Sequence, residues 1–365
     1  MGRPTAPPAL DLEGAGGALR GQSWGALLRA LLVLRLCSWA PLVHHAGPIL
    51  RVSRRVLGER LWGRALRATF YGHFVGGQTH GEVVATARRL RAVGLRPMLA
   101  LPTEEDVGQE KDGEGWYDAN RGAALECVGL AAATGPHPMM QLKVTALMSA
   151  RLCRILSQRL EEPGNGLTPE RLGGIMGGEA AVGQDVGPPW GRGVRLLLDA
   201  ETSDLNPGLG LVAAAMMGRH NRGAQPWVWN TYQAYLRDVG QRLAGDAEGA
   251  RRYGAGFGVK LVRGAYLEAE LHRAGAGQGA GLSVNPAPLQ PDLQATHRSY
   301  GECLELALGL AARDGPRFGL MVATHNEASV LQAVRRMEEL GLPRGGGNVC
   351  FGQLLGMSDH LSLAL

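Results

Sequence analysis

Lysine is nearly absent from this 365-residue chain: of 38 basic residues, only Lys111, Lys143 and Lys260 are lysines. A chain that uses arginine by default keeps lysine where a compact point charge is needed. Aromatic residues make up only 5%, and the net charge of +5 comes from scattered arginines with no dense basic block, which argues against a nucleic-acid partner. The five cysteines, Cys37, Cys127, Cys153, Cys303 and Cys350, are odd in number, far apart and free of any CxxC pair. That argues against a disulfide framework and a zinc site and fits a reducing compartment, and no metal site is expected. A secretory signal is not expected, because the Pro- and Gly-rich first residues carry Asp11 and Glu13 before any apolar run, and the same acids make a poor transit peptide.

Long uninterrupted apolar runs are also lacking. Trp24 to Val43 comes nearest, but Arg29 and Arg35 break it and Pro41 ends it, so it reads as a packed or interfacial helix rather than a membrane span. Residues 1–23 have no period and are expected to be disordered. Residues 24–93 form an N-terminal helical region, with a helical pattern over 50 to 72 and another helix from Glu82 to Val93.

From residue 94 to 365 the chain alternates between strand-like and helical stretches. Strand-like runs fall at Arg96 to Leu101, Met139 to Leu147, Val194 to Ala200, Trp227 to Tyr232, Phe257 to Tyr266, Gly319 to His325 and Val349 to Leu355. Strands separated by helices imply an α/β fold with a parallel sheet, and a (βα)8 TIM-like barrel is its natural closure, with the eighth strand not visible. Leu361 to Leu365 opens an apolar run that stops without a cap. Residues 271 to 293, with Gly275 to Gly281, read as a flexible connector, not a phosphate loop: no strand leads into the glycines, and Pro286, Pro288 and Pro291 follow. With no dinucleotide fingerprint elsewhere, any nucleotide cofactor belongs at the barrel mouth.

The stretch Phe257-Gly-Val-Lys-Leu-Val-Arg-Gly-Ala-Tyr266 puts Lys260 inside a strand whose pattern is that of a buried one. An ammonium there needs a partner or a chemical task. Lys143 occupies a similar apolar run. The strand ends also carry Asp199, Glu201, Asn230, Gln233, Tyr266, Thr324, His325, Asn326 and Gln353, and a barrel's active face is where strand ends converge. Blander roles are open to several of them: Lys260 as an ion-paired strand lysine, Asp199 as a helix cap, His325 as a core histidine, Asn230 as a turn residue. Without further information, Lys143 or Lys260 activated by Asp199 and Tyr266 also suits a Schiff-base lyase or aldolase.

At Lys260-Leu-Val-Arg-Gly-Ala-Tyr266 the chain resembles the proline dehydrogenase family. Leu198-Asp-Ala-Glu201, Asn230-Thr-Tyr-Gln233, Ala323-Thr-His-Asn326 and Phe351-Gly-Gln-Leu-Leu-Gly-Met357 agree, in the same order. Within the family it is most similar to the mitochondrial hydroxyproline dehydrogenase branch, through Arg29-Ala-Leu-Leu-Val-Leu-Arg-Leu-Cys37 and Leu101-Pro-Thr-Glu-Glu105.

The resemblance implies a barrel that binds FAD without a covalent bond. It implies oxidation of hydroxyproline, or proline, to the corresponding pyrroline-5-carboxylate by hydride transfer to the flavin, with electrons passed to a quinone at the matrix side of the mitochondrial inner membrane. By the same matching, Lys260 is the cation against the flavin, and Asp199 the acid that holds active-site cations and Tyr266. Lys143 meets the substrate carboxylate, and Leu354 walls the imino-acid ring beside Tyr266. Ala200, Asn230, Val262, Arg263, Gly264 and Ala265 match positions along the cofactor, and Thr324, His325 and Asn326 match its adenosine end. Family members continue with an eighth strand and a last helix whose arginine pair clamps the substrate carboxylate. Their lack here implies a barrel open along one seam, and makes an inactive remnant of the family the alternative reading.

Overall fold

The computed structural model describes residues 18–101, 103, 113–176, 189–279, 288–343, 345 and 347–365. The chain falls into two compact units, Met1–Arg96 with Gln353–Leu365, and Pro97–Gly352. The last thirteen residues, expected within the barrel, thus cluster with the N-terminal helices.

The larger unit is built on seven parallel strands in sequence order: β1 (Met98–Ala100), β2 (Met139–Leu142), β3 (Arg195–Leu198), β4 (Val228–Gln233), β5 (Phe257–Val262), β6 (Phe318–Ala323) and β7 (Val349–Gly352). Consecutive parallel neighbours joined through helices are the topology of a (βα)8-type barrel, here with β1 and β7 as the edges of the sheet. Every expected strand is present and most are shorter at the C-terminal end than the apolar runs that announced them. The reason is visible at β2: after Leu142 the chain turns at Lys143 into a short 3-10 turn, Val144–Ala146, because buried Thr145 is drawn to the Glu201 carboxylate by hydroxyl contacts of 2.9 and 2.8 Å. Apolar content cannot distinguish a strand from a buried turn.

Side chains alternate between two faces of the sheet. Val228, Tyr232, Val259, Leu261, Leu320 and Val322 pack outward into the main core with the helices. The intervening positions Met139, Leu197, Trp229 and Met321 form a second, small cluster on the inner face. Trp229 dominates it, lying flat against Gly258 and Gly319 of the two following strands: a Cβ at either glycine would come within 2.2 Å of the indole. The Trp229 Nε1 donates to the Pro226 carbonyl at 2.9 Å, which fixes the ring. At the opposite end from the strand termini that carry polar residues, fully buried Asn221 stitches the loops together, donating to the carbonyls of Val228 (2.8 Å) and Gly256 (3.1 Å) and accepting from the Trp227 and Val228 amides. The cysteines are all free, and burial pushes the Cys303 thiol up to about 11, so it stays protonated and inert at neutral pH.

The glycine-rich stretch behaves differently from its expected role as a connector. Leu267–Gly279 is a helix, begun by the acidic pair Glu268 and Glu270 in its first turn, which suits the positive end of the helix dipole. Residues 280–287 lie outside the described residues, and the chain returns through Leu289, which bridges to Leu236.

In the smaller unit the apolar run from Trp24 divides. Ser23 caps the helix Trp24–Cys37, and a second helix, Ala40–His44, starts with Pro41 in its first turn. Ala46–Leu66 is interrupted at Gly58 (φ +70°), and the helix His80–Ala92 starts from a capping box between Thr79 and Glu82. No helix among the described residues is long and apolar enough to cross a membrane. Ala18–Gly21 forms a 3-10 turn, a correction to the disorder expected through residue 23; residues 1–17 lie outside the described residues, as do most of 101–105. The final apolar run also acquires structure: Asp359–Ala364 is a helix that buries Leu361, and the preceding turn is held by His73 Nε2, 2.8 Å from the carbonyl oxygen of Gly356.

The indole floor makes a direct prediction. Gly258→Ala and Gly319→Ala each force the Trp229 ring off its seat and are expected to lower stability by roughly 1–3 kcal/mol, the range for overpacked cores. Urea unfolding of each variant measures this.

Candidate active site

Above the Trp229 floor, the next inward-facing layer is polar. Gln141 follows Met139 on β2, Asp199 follows Leu197 at the end of β3, and Lys260 follows Gly258 on β5, each by the two-residue period of a strand. The Lys260 ammonium donates to Asp199 Oδ1 at 2.9 Å and to Gln141 Oε1 at 2.6 Å, while Gln141 Nε2 donates to Asp199 Oδ2 at 2.5 Å. The three groups close a ring of hydrogen bonds. Both charged side chains are only 11% exposed. Burial of this kind is tolerated because each charge has a partner and Gln141 satisfies the valences left over.

One further period along the inner face comes Lys143, about 7 Å beyond Gln141. Its ammonium donates to the Tyr266 hydroxyl at 2.6 Å and lies 5.2 Å from the centre of that ring. Tyr266 stands just after the β5 turn Arg263–Gly264–Ala265. Gly264 has φ +127°, and a Cβ there would sit 1.7 Å from the Tyr235 ring, so no other residue fits that turn. Arg263 points away from the lysines. Its guanidinium donates to His297 (2.9 Å), Thr324 (2.8 Å) and Ser329 (2.9 Å), and lies 4.2 Å from the centre of the Tyr300 ring. Burial lowers its pKa from the usual value.

The structure therefore brings together Lys260 with Asp199, Lys143 with Tyr266, and Arg263 with Thr324, as separate but adjoining groups at the C-terminal ends of β2, β3, β5 and β6. Val262 ends β5 and Ala265 is exposed beside Tyr266. Asn326 caps the helix Glu327–Glu339, accepting from the Ser329 amide at 2.9 Å, and His325 just before it is exposed. Asn230 is placed otherwise. It sits one residue out of phase with the inner face, shares the helix-facing side with Tyr232, and with Ala200 lines a separate cavity of about 220 Å³ that also includes Asn206, Arg242 and Asp246. Leu354 belongs to the smaller unit, where its side chain is 64% exposed.

A second polar network underlies the β2 and β3 ends. Besides Thr145, it contains Glu201, whose amide donates to Asn206 Oδ1 at 2.8 Å, and Gln233, which accepts from Asn206 at 2.8 Å and donates to the Glu201 carbonyl at 2.9 Å. Sequence reasoning flagged Glu201 and Gln233 but missed Gln141 and Thr145. Gln141 was findable: it alternates with Met139 and Lys143, the same signal that marks an inward-facing lysine.

The Lys260–Asp199 pair is expected to be strongly coupled. Removing one partner, in Lys260→Met or Asp199→Leu, strands a buried charge and costs roughly 3–5 kcal/mol, whereas the double variant loses much less than the sum. A double-mutant cycle on urea unfolding checks both halves.

Residues 182–365 match the family model described as proline dehydrogenase. The chain is 48% identical to the hydroxyproline dehydrogenase of Bos taurus, over 96% of this chain and 81% of that protein, and 49% identical to that of Homo sapiens over the same shares. It is 28% identical to proline dehydrogenase 1, mitochondrial, of Homo sapiens, over 98% of this chain and 81% of that one. Among solved structures, proline utilization A from Bdellovibrio bacteriovorus superposes with a TM-score of 0.65 at 16% identity, over 97% of this chain. The present chain spans 37% of that protein, and at this identity the likeness concerns the fold alone. With inward lysines at the strand ends of a parallel α/β sheet and close relatives along nearly its whole length, this chain belongs to the proline dehydrogenase family of oxidoreductase enzymes.

Proposed function

We propose that the chain oxidises hydroxyproline, or proline, to the corresponding pyrroline-5-carboxylate with FAD, and passes the electrons to a membrane quinone. The observation that carries this reading is the Lys260 ammonium, buried between Asp199 and Gln141, with the Lys143–Tyr266 pair one strand period beyond Gln141. The donor set fits an anionic, planar cofactor: a fixed cation above an apolar floor, the tight Gly264 turn, and the hydroxyl and amide groups of Thr324 and Asn326 along the neighbouring strand end. When bound, FAD supplies the hydride acceptor. The protein's own residues supply charge and position. Lys260 presents a preorganised positive charge that Asp199 keeps in place, and so favours any group that becomes more anionic during the reaction. Lys143 presents an ammonium to the substrate carboxylate, and Tyr266 orients that ammonium and offers its ring edge to the substrate. Ala200, Asn230, Val262, Arg263, Ala265 and His325 are retained as proposed cofactor contacts, Asn230 and Ala200 through backbone rather than side chain.

The Schiff-base alternative requires a neutral amine. It gains little from a Lys260 that is ion-paired and a Lys143 that donates to a phenol.

Mitochondrial residence at the inner membrane is part of the proposal. Relatives are named as mitochondrial enzymes. In the helices of the smaller unit, Trp24 is 82% exposed, Leu28 63% and Leu31 68%, and residues 24–74 hold eight arginines against the single acid Glu59. Exposed apolar side chains among arginines suit a peripheral contact with anionic lipid.

Three measurements test this reading. The purified chain with added FAD is expected to retain a flavin spectrum that bleaches without oxygen on addition of trans-4-hydroxy-L-proline or L-proline, the better substrate naming the branch. Lys143→Met is expected to raise KM about tenfold or more, as loss of a charge-assisted contact does. A chain that binds flavin without bleaching, or binds none, supports the inactive remnant. Separately, the chain is expected to sediment with vesicles containing anionic lipid and to be released as salt rises.

A further inference from the structure

Two buried carboxylates, Glu201 and Glu270, are not among the groups assigned above to substrate or cofactor. Both meet the short loop that follows β3. Glu270 stands one turn beyond Tyr266, its amide donating to the Tyr266 carbonyl at 2.9 Å, and it is only 4% exposed. Its carboxylate accepts from the Ser203 amide at 2.6 Å and from the Ser203 hydroxyl at 2.6 Å. Two residues earlier in the same loop, Glu201, 3% exposed, accepts from the hydroxyl of Thr145, itself two residues beyond Lys143. One turn past Glu270, Arg273 pairs with Asp204, which also accepts from Arg154 at 3.0 Å on the helix Ala150–Glu161 that follows the Lys143 turn. The loop 201–204 thus grips the Lys143 turn with one end and the Tyr266 turn with the other, although the two turns are more than a hundred residues apart in sequence.

We propose that the Thr145–Glu201 and Ser203–Glu270 contacts form a bracket that sets the Lys143–Tyr266 distance, with all four as positioning residues. Each contact is a hydrogen bond to a buried carboxylate, the strong kind, and loss of either removes a partner from buried polar groups, whose relief is movement of the turn. Lys260 is tied instead to Asp199 and Gln141, before the loop begins, and is insulated from the bracket. The inference rests on the proposed placement of Lys143 and Tyr266 on the substrate side.

The scarcity of lysine supplies the test. The wild-type chain and the variants Glu270→Ala, Thr145→Val and Glu270→Gln are treated with dilute sulfo-N-hydroxysuccinimide acetate, and the acetylation rates of Lys143 and Lys260 are read by mass spectrometry, with thermal melts as the check on folding. An ammonium held by a hydrogen bond acylates slowly. Lys143 is expected to react about tenfold faster in Glu270→Ala and in Thr145→Val, while Lys260 keeps its wild-type rate. Glu270→Gln keeps an acceptor for the Ser203 amide and a donor for its hydroxyl, and is expected to stay within about twofold of wild type. Should Glu270→Ala fail to fold, Thr145→Val carries the same test from the other arm. An unchanged Lys143 rate in a folded variant overturns the proposal, as does a parallel rise in Lys143 and Lys260, or a Gln variant as loose as the Ala variant. The labelling needs neither flavin nor substrate, so failure of the bracket and failure of the dehydrogenase reading are told apart.

Discussion

The larger unit is arranged around one constraint: an ammonium and a carboxylate buried together on the inner face of a parallel sheet. Neither Lys260 nor Asp199 can be placed there alone, because an isolated charge in such surroundings costs more than the fold's net stability can absorb. Their 2.9 Å contact and the Gln141 amide, which bridges both, turn two liabilities into one preorganised dipole. Catalysis by charge stabilisation requires groups already oriented before the reaction begins, and a closed ring of three hydrogen bonds has little freedom left to lose.

The layers around the pair follow from strand periodicity. Below lies the buried, apolar Trp229 floor. Above come Lys143 and Tyr266, nearer the mouth and only partly buried, where a charged group gives up less of its hydration than at the level of Lys260. Arg263 is of another kind. With three acceptors and an aromatic face already engaged, it holds β5 to β6 and to the helices beyond, and stiffens the turn from which Tyr266 projects.

Much of this was legible in the sequence, and the exceptions have physical causes. Lys260 was readable as buried because its neighbours are apolar and β-branched, and Lys143 because a chain of arginines had kept a lysine there. The order of the strands and the family resemblance through Lys260 to Tyr266 likewise stand. What a linear reading could not supply was phase and partnership. Asn230 belongs to a matching motif but lies one residue off the inner face, and only the register of β4 decides that. Residues 271 to 293 look like a linker by composition, yet the helix Leu267–Gly279 runs into them, its first turn anchored by two hydrogen bonds that Glu270 accepts from Ser203, sixty-seven residues away. Thr145 shortens β2 through a partner fifty-six residues away, a distance at which no local pattern speaks.

The Trp229 floor also bears on how such sequences can vary. One large ring on β4 occupies the space that three strands would otherwise share, and its plane lies against two backbones that have given up their side chains at Gly258 and Gly319. Volume at the three positions is therefore a single quantity divided among them. A smaller residue at 229 would open a void that alanine or serine at 258 or 319 could refill, while either change made first is a clash or a hole. Descendants of this chain should move through that corner of sequence space only by paired steps, so the three sites are expected to drift as a linked set while the polar layer above them remains still.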